Sequence, residues 1–367
     1  MINVNELLPE FNQADAQAEI ETYPYEELQF QRGFPLLYQP TLDWKAIEAN
    51  FGAKVMASVV AFNSRAPRFG RPLPSKISGE IPKVEGARDK VETDFNMLRA
   101  LQDSVTRLPD GPTRKQAMQR ILDWHYEDGP FVVNAVNARL EWLAKQILSK
   151  GKYSLTLTNN EQGVQTTTDV DFEIPTTQIV NAPKDWSDKT ADILADIKNR
   201  KAAAKLRNRR LLFMTMEEDT FNNMASNEGI QKFCATYVVN ALGLQQEPDL
   251  DTMNRALARK GLPTIIIWES DVVVEDKAGN QETVSGWEPG HVTFTESAVY
   301  GDTQYTLSAD EYVNAGVATK TKSGIVLVKT WGIEDPITVV TKGVAYATPV
   351  LNNSKNVHIL KTKLAEG

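Results

Sequence analysis

The stretch from Pro112 to Ser149 constrains this chain more than any other. It predicts a long helical hairpin, or one bent helix, with a break at Gly129-Pro130. In its second half Val133, Val136, Leu140, Leu143, Ile147 and Leu148 return at a period close to 3.6. They share one stripe, and Asn, Arg, Glu and Lys face away. Pro130 has no amide hydrogen to offer the preceding turn, and Gly129 is a poor helix former, so the break has a local cause. No later segment predicts so long a helix, and the flanking segments read as mostly extended. One rigid spine with extended arms suits a scaffold element better than an enzyme domain.

Composition narrows the classes. The 367 residues suffice for two domains or one large one. A net charge of -8 argues against gripping nucleic acid through a basic face, but not against a container whose inner wall faces it. Cys234 is the single cysteine, so an internal disulfide and a thiolate metal cluster are excluded. No apolar run reaches the ~18 residues of a membrane span. The opening MINVNELLPEFNQ lacks a basic start and an apolar core, so it does not read as a signal peptide. The expectation is a protein that stays in a cell interior or leaves it by lysis.

Along the chain, residues 1–50 are aromatic-rich without a clean period. They suit an irregular arm, covering either its own domain or a neighbouring subunit. Residues 53–63 predict a strand. Residues 64–91 then hold Pro67, Pro72, Pro74 and Pro82 with seven basic side chains, too polar for a core and closed to helix. A long polar hairpin fits, and a loop of that length is either a binding element or disordered. Residues 91–106 predict a helix, and 153–174 a strand ribbon rich in Thr. From Asp185 a mixed α/β region begins. It has a helix from Asp185 or Ser187 to Leu206, a strand at Arg209–Met214, and a capping box at Thr215–Glu218. Helices over Ile230–Leu242 and Asp251–Lys260, and strands at Thr264–Trp268, Asp271–Glu275, Gln281–Val284 and His291–Glu296, complete it. Residues 300–323 read as loop-rich. The late strands, at Ile325–Trp331, Pro336–Val340 and toward Leu360, are expected to return beside the spine, making the α/β region an insertion.

Few residues suggest chemistry. His125, His291 and His358 lie in separate elements without acidic partners at ligand spacing. No glycine-rich phosphate loop and no G-x-S-x-G elbow is present. Cys234 reads as a small buried hydrophobe. The carboxylates Glu217-Glu218-Asp219 and Asp271/Glu275-Asp276 read as a helix start and a solvated hairpin. His291 and Glu288 are separated by Pro289-Gly290, which fixes no acid–base geometry. Arg65, Arg68, Phe69, Arg71, Lys76, Lys83 and Arg88 make the hairpin basic in an acidic chain. Contact with an acidic surface of a sister subunit is the favoured use, and single-stranded nucleic acid the other.

At this hairpin the chain resembles a known family. NSRAPRFGRPLPSKISGEIPKVEGARDKVETDFNMLRAL is similar to the region of phage lambda-type major capsid proteins (capsid protein E). There an Ala-Pro-basic segment is followed by a Pro-Lys stretch and a helix like the one holding Glu92, Asp94, Asn96, Leu98 and Arg99. Leu211–Phe221, Trp331-Gly332 and Asp335-Pro336 extend the resemblance over about residues 30 to 350. It implies an α+β, HK97-like phage capsid fold. On this chain that fold has an N-terminal arm at 1–52 and an extended loop at 53–90. A peripheral domain takes 91–180, with the spine helix 112–149, and is rejoined by 321–367; an axial domain takes 181–320.

The implied role is a major capsid protein, not an enzyme, needing no metal or other cofactor. It is expected to form pentamers and hexamers in an icosahedral lattice around packaged double-stranded DNA, held non-specifically. Implied partners are a portal protein, a separate scaffolding protein (no coiled-coil-like extension precedes the arm) and optionally a decoration protein. No membrane is involved, and the virion would be assembled in the host cytoplasm. Val133, Val136, Leu140, Leu143 and Ile147 are expected to pack the spine on its sheet. The alternatives are another ring- or tube-forming phage structural protein, from a tail or connector, and a soluble carboxylate-dependent hydrolase.

Overall fold

In the computed structural model, residues 1–48, 75–156, 159–160, 168–237, 247–275, 279–313 and 318–364 are described. The chain begins with helices α1 (Val4–Leu7), α2 (Gln13–Thr22) and α3 (Phe30–Gly33), then strands β1 (Leu36–Tyr38), β2 (Asp43–Glu48), β3 (Ser75–Glu80) and β4 (Lys83–Val91). Next come α4 (Glu92–Thr106), α5 (Pro112–Tyr126) and α6 (Asp128–Lys150), the ribbon β5 (Lys152–Leu155) and β6 (Thr168–Asp171), and β7 (Ile179–Asn181). The α/β region holds α7 (Ile193–Leu206), β8 (Phe213–Met216), α8 (Glu218–Ser226), α9 (Glu228–Tyr237), α10 (Leu250–Arg259), β9 (Thr264–Ile267), β10 (Val272–Glu275), β11 (Gln281–Val284) and β12 (His291–Thr295). The chain closes with β13 (Gly301–Thr306), α11 (Ala309–Tyr312), β14 (Thr319–Ser323), β15 (Val326–Ile333), β16 (Thr338–Leu351) and β17 (His358–Lys361).

Strands β2 and β3, β5 and β6, and β10 and β11 form separate two-stranded ribbons, and two larger sheets carry most of the strands. The first runs β1-β13-β16-β15-β14, with β4 also paired to β16. Its centre is β16, long enough to pair with β15, β4 and β13 at once. The spine α6 lies on it so closely that a side chain at Gly343 would meet the Val132 carbonyl at 2.8 Å. Val132, Val136, Leu140, Leu143 and Ile147 share one core with Val326, Val328, Ala345, Ala347 and Val350 of the sheet, Tyr153 of the ribbon, and Phe172 and Ile174 just after it. Burying such a stripe is what holds a helix of this kind, since propensity alone leaves it marginal.

The second sheet runs β7-β17-β12-β8-β9 and is packed by α7 to α10 around Trp186, Met214, Met216, Val292, Phe294 and Leu257. Asp192 and Asp249 cap α7 and α10 through the amides of Ala195 and Thr252. A third, smaller core joins α1 and α2 to α4 and α5 through Val4, Leu8, Phe11, Leu98, Val105 and Ile121.

Several expectations change. The spine breaks at Glu127, between α5 and α6, and not at Gly129-Pro130. Pro130 falls in the first turn of α6, where an amide has no intrahelical acceptor to lose. Gly129 is a packing glycine: a Cβ there would meet Ile20 of α2 at 3.0 Å. Residues 300–323 are not mainly loop, because β13 lies between β1 and β16. Its sequence, GDTQYT, hides a strand whose polar side chains are satisfied inside, as Thr303 donates to the Phe34 carbonyl at 2.8 Å. The helix expected from Asp185 starts at Ile193. Thr215 is no cap, because it sits in β8 with its hydroxyl 2.8 Å from that of Tyr300. Among the late strands, β17 pairs with β12 and β7 in the second sheet rather than beside the spine. Residues 53–63 lie outside the described residues.

Candidate assembly surface and spine junction

The basic residues picked from the sequence fall in different places. Arg65, Arg68, Phe69 and Arg71 lie outside the described residues, as does the side chain of Lys76. The strands that lead into and out of that segment are described: β2 and β3 pair antiparallel from Asp43↔Glu80 to Glu48↔Ser75. Lys83 and Arg88 belong to β4, inside the first sheet. Both have partners within the subunit. Lys83 lies 2.6 Å from the Glu85 carboxylate, and Arg88 lies 3.5 Å from Asp128 and stacks on Phe131 at 4.7 Å. Beside them Lys90 and Asp128 form a buried ion pair.

Val133, Val136, Leu140, Leu143 and Ile147 are all buried in the first core. The polar face of the spine departs from the sequence reading, because Glu141 and Lys145 are 0 % exposed instead of facing solvent. The segment between β9 and β10 covers them. Glu141 accepts the Phe30 amide at 2.8 Å, the Trp268 indole N–H and the Ser270 hydroxyl. The Lys145 ammonium donates to the Ser270 carbonyl and lies 3.6 Å from the Asp271 carboxylate. Burial pulls Lys145 below the usual lysine range, opposed by the charges of Glu141 and Asp271. A Glu and a Lys one turn apart read most simply as a solvated i,i+4 pair. Only the two apolar residues at Trp268 and Val272, flanking a short polar link, hinted at a cover.

The C-terminal end of the spine is tied to the second sheet. Gly151 closes the helix in the left-handed conformation, at φ 76°. The carbonyls of the last turn then meet β12: Thr293 donates its hydroxyl to Leu148 at 2.7 Å, and His291 Nδ1 lies 2.7 Å from the Ser149 oxygen. Lys150 pairs with Glu288 at 2.6 Å. One helix therefore lies on the first sheet along its length and ends on the second.

On the opposite side of the first sheet, Lys320, Lys329 and Lys342 stand in cross-strand register on β14, β15 and β16. Like charges so placed repel. Asp310 of α11 offsets this, reaching Lys329 at 2.7 Å and Lys342 at 3.1 Å, while Glu311 reaches Lys322 at 2.6 Å. The two lysines hold the Asp310 carboxyl down at about 2. A cleft of about 320 Å³ lies where two connections cross between the sheets, lined by Glu296, Tyr300, Asp302, Asn352 and Asn356. Among the described residues no group of three His, Cys, Asp or Glu side chains converges as a metal site, and no helix is long and apolar enough to cross a membrane.

No protein-family model matches the sequence, and no curated protein matches it. Solved structures do. A protein assigned as the capsid protein of a prophage of E. coli CFT073 superposes with a TM-score of 0.57 at 16% identity, covering 99% of both chains. A phage-related protein of Bordetella bronchiseptica RB50 gives a TM-score of 0.50 at 11% identity, over 95% of this chain and 96% of that one. Identities this low speak for the fold alone. The match runs end to end, so it takes in both sheets and the spine of this chain. The chain has the HK97-like phage capsid fold.

Proposed function

We propose that this chain is the major capsid protein of a tailed phage, of the lambda type. Copies of it would close an icosahedral shell of pentamers and hexamers around double-stranded DNA held without sequence preference. The observation that supports this best is the end-to-end likeness to a protein assigned as a prophage capsid protein, with 99% of each chain covered. A portal protein, a separate scaffolding protein and optionally a decoration protein would complete the particle, assembled in the host cytoplasm.

In this reading residues 1–52 are the arm, 53–90 the extended loop, 91–180 with 321–367 the peripheral domain, and 181–320 the axial domain. Strand β4 anchors the end of the loop to the first sheet, and β17 reaches from the last segment into the second. Arg65, Arg68, Phe69, Arg71, Lys76, Lys83 and Arg88 would contact a neighbouring subunit.

Expression followed by negative-stain electron microscopy tests the proposal. Closed shells support it, whereas rings, tubes or a small monomer would refute it. A second test replaces residues 51–72 by a short glycine turn between β2 and β3. That cut spares β4, which a deletion of 66–88 would remove from the first sheet. The shortened subunit is expected to fold and to fail in assembly.

A further inference from the structure

The buried Glu141–Lys145 pair is not explained by stability. Taking two charges out of water is costly, and well-packed apolar residues of similar volume are often as stable or more so. Most of α6 around the pair is apolar and lies in the largest core. An apolar pair would bury the same surface, but it would not fix direction.

Direction is what the pair supplies. Ser270 is gripped from both sides, its hydroxyl by Glu141 and its carbonyl by Lys145. Trp268, whose indole also meets Glu141, continues the second sheet through its own amide, which donates to Met216 at 2.9 Å. Its ring stacks on Tyr300, and the Tyr300 hydroxyl lies 2.8 Å from Thr215 of β8. The third donor, the Phe30 amide, comes from α3, where Gln29 bonds the Ile267 carbonyl at the end of β9. Trp268 and α3 are thus fastened to the edge of the second sheet, and Asp271 leads into the separate β10–β11 ribbon, while α6 is fastened to the first sheet through Val132 and Gly343 and only its last turn meets β12.

We infer that Glu141 and Lys145 form an angle-setting joint, fixing how the second sheet is held against the spine and, in an assembly, fixing subunit curvature. The second part rests on the capsid reading; the first does not. Hydrogen bonds to two charged groups one turn apart define a rotation as well as a distance, because a slide along the helix breaks one grip or the other. Apolar replacements of conserved volume keep stability but give up uniqueness and rigidity of packing first.

The test is the double variant E141L/K145M, measured against wild type in two ways. The unassembled subunit is expected to melt within a few degrees of wild type or higher. Its small-angle scattering profile should broaden, as the sheets sample more than one angle. Assembled material should lose its single shell size and give mixed diameters and open sheets. An unchanged scattering profile overturns the joint. Shells of wild-type size from a variant whose profile has broadened overturn the link to curvature. If wild type forms no shells, the capsid reading fails, and scattering alone decides the joint. Should the double variant not fold, Ser270→Ala replaces it, loosening one grip on a half-exposed residue, with the same two readings and a smaller broadening expected.

Discussion

His291 Nδ1 lies 2.7 Å from the carbonyl oxygen of Ser149, joining β12 to the last turn of the spine. The carbonyl can only accept, so Nδ1 carries the proton. Burial lowers the pKa of His291, with the Ser149 bond and Glu288 opposing it in part. Burial also lowers His125, against the opposing charge of Glu10, and pushes His358 down to about 4, helped by Arg200 and Arg207.

These shifts make the subunit acid-sensitive. An unfolded histidine titrates near 6.5, so below that pH the unfolded chain binds protons the folded chain does not. The His358 contribution is complete above about 6.5 and is lost as pH falls through about 4. Melting temperatures measured from pH 7.5 to 4 should therefore fall, and His358→Gln should flatten the profile. An equal slope in the variant would remove His358 from the account.

Leu143 is buried between the spine and the first sheet. Leu143→Ala is expected to cost about 2–5 kcal/mol, the range for a well-packed core leucine. The loss is internal, so denaturant melts of the unassembled subunit detect it. Arg68→Glu, by the assembly reading, leaves that melt unchanged and lowers only the yield of shells.

Gly301 opens β13 at the crossover between the sheets. A Cβ there would sit 1.8 Å from the Val350 carbonyl oxygen, which β16 cannot move without breaking its ladder. Gly301→Ala should give little soluble folded protein. Gly111→Ala, with nothing within 4 Å, should express and melt near wild type.

The helical turn α11 buries none of its residues and is held by Asp310 and Glu311. Asp310→Asn should speed amide exchange across 309–313 while leaving β15 and β16 protected. Because the Asp310 carboxyl sits depressed at about 2, its contribution is present above the ordinary 3.8 and disappears only as pH falls through about 2. Mild acid, near pH 5, should leave this turn in place while it already weakens the histidine sites.

Much of this architecture was legible in the chain. The 3.6-residue stripe from Val133 to Ile147 marks the spine, and Val272–Glu275 with Gln281–Val284 marks a hairpin whose Gly279 takes φ 83°. What escaped was set by partners far away in sequence. Glu141 and Lys145 look solvated until Trp268 and Ser270 cover them. GDTQYT looks like loop until β16 supplies its hydrogen bonds. Pro130 looks like a break because local rules do not say where a helix starts. Arg65, Arg68 and Arg71 stand out by charge alone, and local sequence does not say what they meet.

The strand order has a consequence for synthesis. Val91 pairs with Thr338 and Leu36 with Thr303, so the N-terminal strands wait for the chain's end. At about 5–20 residues per second, that is a delay of roughly ten to fifty seconds. Pairings this distant are slow to close in any case. During that interval the apolar stripe of the spine has no sheet to lie on, and the loop has only half an anchor. A ribosome-bound chain accordingly cannot complete the first sheet before its last strands emerge. Truncated products that lack β16 cannot complete the first sheet, whatever the role of the finished chain.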